Sequence, residues 1–305
     1  NAFHSSHHTV VTIGTFDGVH VGHQKIIERL VNTARAGNLE SAILTFFPHP
    51  RMVLQKDADI KLINTIEERK EILAKSGIDH LIIHPFTQQF SRLSAREFVR
   101  DILVNKLKAK KIIIGYDHRF GRNRTADIND LREFGKEYDF EVEEISKQDI
   151  EDVAVSSTKI RKALLEGEVE KANRFLSYPF ALAGEVVTGR GLGKEFRYPT
   201  ANIRVEEAYK LIPKNGVYVV RSKINDRTVY GMMSIGTNPT VGGTEKTIET
   251  YFFGIDEDLY GKYLSVQLLT RIRDEKKFDS VEGLKIAMKQ DEAFSKQYIK
   301  DNYAE

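Results

Sequence analysis

The segment Thr12-Ile-Gly-Thr-Phe-Asp-Gly-Val-His-Val-Gly-His-Gln-Lys-Ile-Ile27 decides the fold of the first half of the chain. An apolar run at residues 10–13 predicts a buried strand, and a helical pattern takes over at Ile26. The turn between them is punctuated by Gly14, Gly18 and Gly22. A strand that turns directly into a helix leaves free N–H groups and the positive end of the helix dipole at the loop. The segment therefore predicts a phosphate-binding loop.

Two histidines lie in the first turn of this helix. His20 and His23 are three residues apart, so both rings can face the same point. Such a pair can hold a polyphosphate and stabilise charge that develops on a phosphoryl oxygen. The alternative is a polar surface pair, which the glycine pattern and the strand-to-helix context disfavour. No Gly-Lys-Ser/Thr follows at the spacing of a P-loop.

Short apolar runs alternate with helical stretches from Val10 to about Tyr178. Further predicted strands are residues 41–47, 79–84, 111–115 and 141–145, with helices at 66–76, 95–106 and 130–138. This alternation predicts an α/β fold, a doubly wound parallel sheet with helices on both faces. In such sheets, ligands bind beyond the carboxyl ends of the strands, where the loops named here would converge.

Two later loops also carry polar groups suited to phosphate. Gly115-Tyr-Asp-His-Arg-Phe-Gly121 offers the carboxylate of Asp117 and the guanidinium of Arg119, although a simple glycine-bounded turn is the alternative. The hydroxyl cluster at residues 156–158 precedes a short helix, and Arg161 follows one turn later. Helix capping alone would explain the hydroxyls. Together with Arg161 they also form a pattern typical of a phosphate clamp.

These three loops together resemble the nucleotidyltransferase superfamily that carries a His-x-Gly-His motif. The lead-in Gly-Thr-Phe-Asp-Gly looks like the branch that contains bacterial FAD synthetases, and residues 156–161 resemble the motif that closes over ATP phosphates. His118 departs from this pattern, because an aromatic residue is more usual there. The resemblance implies that His20, His23 and Arg161 are catalytic. It also implies that the nucleotide is bound by Gly14, Thr15, Phe16, Asp17, Gly22, Asp117, Arg119, Phe120, Ser156, Ser157 and Thr158.

The sequence pattern changes near Phe180. Short runs rich in β-branched and aromatic residues continue to about Thr270, separated by turns with Gly, Asn and Asp. This pattern predicts an antiparallel β-barrel, with a C-terminal helix from Val281 to about Tyr298 packed on it. The predicted domains are residues 1–182 and 183–305.

The segment from Thr188 to Asn202 combines a glycine loop with Pro-Thr-Ala-Asn. Thr200 and Asn202 lie two residues apart, so on a strand both side chains point to one face. Their oxygens suit Mg²⁺, which binds few protein ligands in addition to substrate phosphates. The alternative is an ordinary strand start after a proline. NAD binding is rejected, because the glycine spacing is wrong and no helix follows.

The Pro-Thr-Ala-Asn motif resembles that of riboflavin kinases, as do residues 236–240 and Glu249-Thr-Tyr. The resemblance implies that Thr200 and Asn202 hold the metal and the ATP phosphates, and that Glu249 is the general base. Further implied nucleotide or flavin contacts are Gly189, Gly191, Lys194 and Arg273. Lys194 and Arg197 depart from the family pattern, where arginine and glycine are usual.

Both halves thus agree with the family of bacterial bifunctional riboflavin kinase/FAD synthetases. This implies Mg²⁺, ATP as co-substrate, and riboflavin, FMN and FAD as substrates or products. Three alternatives stay open at this point: an FMN adenylyltransferase with an impaired kinase domain, a transferase for another small phosphate, and a non-catalytic flavin or nucleotide sensor.

Composition excludes several other classes. The 46 basic and 44 acidic residues give a net charge of +2, which argues against nucleic acid as a partner. The chain has no cysteine, so disulfides and thiolate sites are excluded and a cytoplasmic location is expected. No apolar run approaches the ~20 residues that span a bilayer. The expected partners are small molecules, and a homo-oligomer is left open.

Overall fold

The computed structural model describes residues 7–55, 59–115, 118–146, 155–188, 198, 200–237 and 246–303. The chain divides into two compact units, Asn1–Ser157 and Thr158–Glu305. The functional boundary near residue 182 stays a prediction. Among the described residues, no helix combines the length and the apolar character needed to cross a membrane.

The first unit contains a parallel sheet. Its strands are β1 Thr9–Ile13, β2 Glu40–Phe47, β3 His80–Pro85, β4 Ala109–Gly115 and β5 Glu141–Ile145. In the described part of the chain they form a five-stranded sheet in the order β3-β2-β1-β4-β5, with every neighbouring pair parallel. Strand order therefore reverses between β1 and β4, the switch point where such sheets bind ligands.

Helices cover both faces of the sheet. They are α1 Val21–Ala36, α2 Pro50–Leu54, α3 Ile66–Ala74, α4 Ala95–Glu97, which continues with π-helical turns over Phe98–Lys106, and α5 Ile128–Tyr138. Val10 faces the side of the sheet covered by Leu30 of α1, whereas Val11 faces Leu103 on the opposite side. Because successive side chains of a strand point to opposite faces, one hydrophobic core lies on each face of the sheet. The predicted doubly wound fold is therefore confirmed.

Helix α6, Ser157–Glu166, begins at the last residue of the first unit, and α7, Val169–Leu176, follows in the second unit. The strands that follow are β6 Ala181–Val187, β7 Ala201–Arg204, β8 Gly216–Ile224, β9 Arg227–Thr237, β10 Lys246–Phe252 and β11 Tyr263–Arg273. These described strands close into an antiparallel barrel in the order β10-β7-β6-β11-β8-β9. The predicted barrel is therefore confirmed.

The C-terminal helix α8, Val281–Tyr303, packs on the barrel through its buried residues Asp291 and Ser295. Closure of the barrel leaves no unpaired strand edge between β10 and β9, which pair over the whole length of β10. The helix extends a few residues beyond the predicted end near Tyr298.

Candidate active sites

The loop after β1 enters α1 through an unusual backbone path. Phe16, Gly18 and Val19 have φ values of 48°, 87° and 36°, in the left-handed region. At Gly14 an added Cβ would lie 3.1 Å from the ring of Phe16, so the loop folds tightly onto itself. His20 is the N-cap of α1, and its Nδ1 accepts a hydrogen bond from the backbone N–H of His23 at 3.4 Å. Gly22 is buried within the first turn of the helix.

The two histidine rings lie together at this helix start, as the sequence predicts. Their centroids are 3.7 Å apart with planes inclined by 17°, and the ring of Phe16 meets His23 edge-on at 5.1 Å. Because Nδ1 of His20 is an acceptor, a neutral His20 carries its proton on Nε2. Burial, followed by the charges of His20 and Arg69, holds the pKa of His23 well below its ordinary value. The His23 ring therefore favours the neutral form.

Asp17 is a buried residue of this loop. Its carboxylate accepts hydrogen bonds from the backbone N–H groups of Ile63, at 2.9 and 3.2 Å, and Asn64, at 3.2 Å. Oδ1 also lies 3.9 Å from Nη2 of Arg69, and both side chains are only 1% exposed. The structure therefore places the Asp17 carboxylate among backbone amides of the segment before α3, where it anchors the loop.

The hydroxyl cluster reaches the same loop. Ser157 Oγ donates a hydrogen bond of 2.8 Å to the backbone oxygen of Asp17, so the start of α6 and the loop after β1 are joined. Ser156 is half-buried beside it, and Thr15 is held by the Thr45 hydroxyl, which donates to its carbonyl at 3.3 Å. Thr158 and Arg161 are described with the second unit, on α6, where Thr158 is exposed and Arg161 half-buried. Their role as a clamp stays a prediction.

The loop after β4 gives a mixed result. Arg119 is exposed, but Phe120 is only 7% exposed and its ring packs in the core, 6.1 Å from the ring of Phe98. A ligand contact for Phe120 is thus a prediction that its burial does not favour. Asp117 lies outside the described residues.

The second candidate site lies on the barrel, across strands β7 and β10. Glu249 is paired with Asn202 in the antiparallel register, so both side chains point to one face. The Thr200 hydroxyl donates to the Glu249 carboxylate at 3.4 Å. All three side chains are half-buried. Three oxygen-bearing groups therefore share one surface. The spacing of Thr200 and Asn202 was predicted from the sequence, whereas the pairing of Asn202 with Glu249 was not.

These oxygens fit Mg²⁺. A hydroxyl, an amide and a carboxylate are hard donors, and Mg²⁺ needs few of them when substrate phosphates complete its shell. Among the described residues, no group of three or more His, Asp or Glu side chains is placed to hold a metal by itself. The donor set therefore suits a metal that arrives with a nucleotide.

Tyrosines and a helix border this face. Tyr251 lies two residues after Glu249, and its ring meets that of Tyr198 at 4.9 Å. The Tyr198 hydroxyl donates to Glu292 of α8 at 2.9 Å. Burial, reinforced by Glu292, raises the pKa of Tyr198 to about 12, so the phenol stays protonated. Sequence reasoning missed these residues, because nothing in the local pattern links α8 to β10.

A cavity of about 300 Å³ opens beside the same strands, lined among others by Thr200, Thr250 and Tyr260. Thr250 is fully buried, and its hydroxyl has no hydrogen-bond partner within the described parts of the chain. The cavity is large enough to accept part of a nucleotide or a flavin.

Other predicted contacts in this half stay predictions. Arg273 is engaged with Asp291 of α8, with Nε–O distances of 2.9 and 3.1 Å and an Nη2–O distance of 2.7 Å. Its predicted flavin contact would require this pair to open. Gly189, Gly191, Lys194 and Arg197 lie outside the described residues.

Comparison with known proteins finds matches for both halves of the chain. The family model of FAD synthetase matches residues 2–159, and that of riboflavin kinase matches residues 176–299. The bifunctional riboflavin kinase/FMN adenylyltransferase of Listeria monocytogenes is 38% identical over 95% of this chain and 92% of its own. That of Escherichia coli K12 is 33% identical over 95% and 92%.

A solved structure shares the whole fold. The crystal structure described as a macrolide-efflux protein from Streptococcus pneumoniae superposes with a TM-score of 0.87 and 32% identity, over 99% of this chain and 96% of that one. Two family models in tandem and relatives that match from end to end leave one assignment: this chain belongs to the family of bifunctional riboflavin kinase/FMN adenylyltransferases.

Proposed function

We propose that this chain makes flavin cofactors in two steps. The barrel transfers the γ-phosphoryl group of ATP to the terminal ribityl hydroxyl of riboflavin, which gives FMN and ADP. The parallel-sheet unit then joins the FMN phosphate to the α-phosphorus of a second ATP, which gives FAD and pyrophosphate. Membership of the family and the presence of a polar site in each unit support this assignment.

The adenylyl step is supported by the stacked histidines at the start of α1. The FMN phosphate oxygen attacks the α-phosphorus while the bond to pyrophosphate breaks, so negative charge shifts onto the leaving group. Nε2–H of His20 and the ring of His23 would donate hydrogen bonds to these oxygens, a role that their position at the start of α1 supports. Arg161 and the hydroxyls at residues 156–158 would hold the remaining phosphates.

The kinase step is supported by the geometry of Glu249. Its carboxylate would take the proton of the ribityl hydroxyl as that oxygen attacks phosphorus. Thr200 and Asn202 would hold Mg²⁺, which neutralises phosphate charge when bound. The pairing of Glu249 with Asn202 and its hydrogen bond to Thr200 are the observations that carry this assignment. They disfavour an impaired kinase domain.

Product analysis of riboflavin with Mg-ATP over time tests the proposal. FMN should appear first and FAD should follow, each with its by-product, ADP or pyrophosphate. FAD from supplied FMN but none from riboflavin would identify a transferase with an inactive barrel. Flavin binding without either product would identify a sensor. We further propose that the chain acts in the cytoplasm on these small molecules, in line with its lack of cysteine.

A further inference from the structure

Helix α3 carries an arginine in a place where the fold would ordinarily put an apolar residue. Arg69 is 1% exposed and lies one turn before the fully buried Leu73. A buried guanidinium costs several kcal/mol unless charge and hydrogen bonds compensate it. The carboxylate of Asp17 is equally buried, and its Oδ1 lies 3.9 Å from Nη2 of Arg69. Asp17 belongs to the loop that leads to the two histidines, so the pair connects this loop to α3.

Asp17 ties that loop to two other segments. Its side chain accepts from the N–H groups of Ile63 and Asn64, and its carbonyl accepts from Ser157. The neighbours Phe16 and Gly18 are both in the left-handed region, so the loop needs such an anchor to hold its shape. Arg69 balances the charge of the residue that provides it.

Arg69 also affects the pKa of His23. Its Nδ1 is inaccessible and has no hydrogen-bond partner among the described residues, and the ring is enclosed by Phe16 and His20. Burial comes first among the causes that lower the pKa of His23, followed by His20 and then Arg69 of α3. The Asp17 carboxylate lies beside Arg69.

We propose that Arg69 is a positioning residue for adenylyl transfer: its buried pair with Asp17 fixes the loop before α1 and so holds the His23 ring in place. This inference rests on the proposed function and adds a residue to it. A protonated ring would bind the triphosphate of the ground state as an ion pair, which does not speed the reaction. A neutral ring donates a hydrogen bond whose strength grows as charge develops on the leaving pyrophosphate.

The test follows the His23 ring itself by NMR, in the ligand-free full-length chain with labelled histidine. The signal is assigned by its absence from His23→Asn. In Arg69→Met the titration midpoint of His23 should rise, because a cation that opposes its protonation is lost. Arg69→Lys should keep the midpoint near that of the wild type. Lys70→Met is the matched control, since it removes a cation from the same helix at an exposed position.

Activity provides the second readout. FAD formation from supplied FMN should fall in Arg69→Met, most steeply at acid pH, and recover partly in Arg69→Lys, while FMN formation from riboflavin is unchanged. If Arg69→Met does not fold, Asp17→Asn/Arg69→Met replaces it, because no uncompensated charge is then buried. In that variant the His23 midpoint should still lie above that of the wild type.

An unchanged His23 midpoint in the folded Arg69 variants, or an equal shift in Lys70→Met, would overturn the inference. A wild-type chain that makes no FAD would instead overturn the proposed function. The two failures are distinct, because the titration of His23 is measured without substrate.

Discussion

The imidazole rings of His20 and His23 stack face to face, with centroids 3.7 Å apart. Two protonated rings at this separation would repel each other, and burial also opposes a charge on His23. We therefore expect the pair to act as hydrogen-bond donors at the positive end of α1, which favours an anion.

Replacement of His23 by alanine should abolish one activity and spare the other. Removal of a donor to developing charge typically costs about 100-fold or more in rate, so FAD formation from FMN should fall at least that far. FMN formation from riboflavin should be unchanged. Chromatography of both flavin products measures this. His80→Ala is a matched control, since that ring is bonded to Glu40 at the start of β3. Loss of both activities in His23→Ala would contradict the assignment of one step to each unit.

Replacement of Glu249 by glutamine should have the opposite effect. The amide keeps the shape of the side chain but cannot accept the hydroxyl proton, so FMN formation should fall by about 100- to 10,000-fold. FAD formation from supplied FMN should persist. Glu185→Gln, on strand β6 beyond β7, removes a carboxylate that pairs with Arg204 and should change neither step. Retained kinase activity in Glu249→Gln would place the general base elsewhere.

The contact between Tyr198 and Glu292 should contribute to stability in a pH-dependent way. Hydrogen bonds from Lys296, and then from Tyr198, hold the pKa of Glu292 below its ordinary value. A lowered pKa gives stability that is present above the ordinary value and is lost as pH falls through the lowered one. In Tyr198→Phe the free energy of unfolding should drop by about 1–2 kcal/mol at neutral pH. Urea unfolding at neutral and acid pH should show this difference shrinking in acid.

The exposed residue Tyr263 supplies the control for this measurement. Its side chain is 66% exposed, so Tyr263→Phe should leave the free energy of unfolding unchanged at both pH values. A difference between Tyr198→Phe and the wild type that does not depend on pH would mean that the phenol contributes by packing alone.

Gly231 allows strands β9 and β10 to approach closely. An added Cβ would lie 2.2 Å from the carbonyl oxygen of Tyr251, on the strand that carries Glu249. Gly231→Ala should therefore lower the free energy of unfolding of the barrel by about 1–3 kcal/mol and reduce FMN formation. Thermal unfolding measures the first effect. Gly283 lies on α8, and an added Cβ there would be 3.3 Å from the Ser280 hydroxyl just before the helix. Gly283→Ala should change either quantity far less.

Local sequence predicted the elements and the residues that depend on spacing. The strand, the glycine turn and His20 with His23 follow one another within a few residues, so periodicity and helix-start chemistry sufficed. Thr200 and Asn202 share a face because strand side chains alternate. The pairing that sets Glu249 opposite Asn202 depends on register between distant strands, which no local pattern encodes.

Long-range burial explains what sequence reasoning missed or misplaced. Arg69 looks like one of several charges on a polar helix, and only the packing of α3 shows that its side chain is enclosed. Its position one turn before Leu73 was the available signal. Arg273 was predicted to contact flavin, but the structure pairs it with Asp291, which is buried on a helix that follows much later. Phe120 entered the core for the same reason.

The hydrogen bond from Ser157 to the carbonyl of Asp17 spans 140 residues of sequence. A ribosome that adds about 5–20 residues per second needs on the order of ten seconds to release the second partner after the first. Throughout that interval the loop that leads to His20 and His23 has been synthesised but lacks its hydrogen bond to Ser157. The loop before α1 therefore gains this hydrogen bond late, only after the five described strands of the parallel sheet have been synthesised.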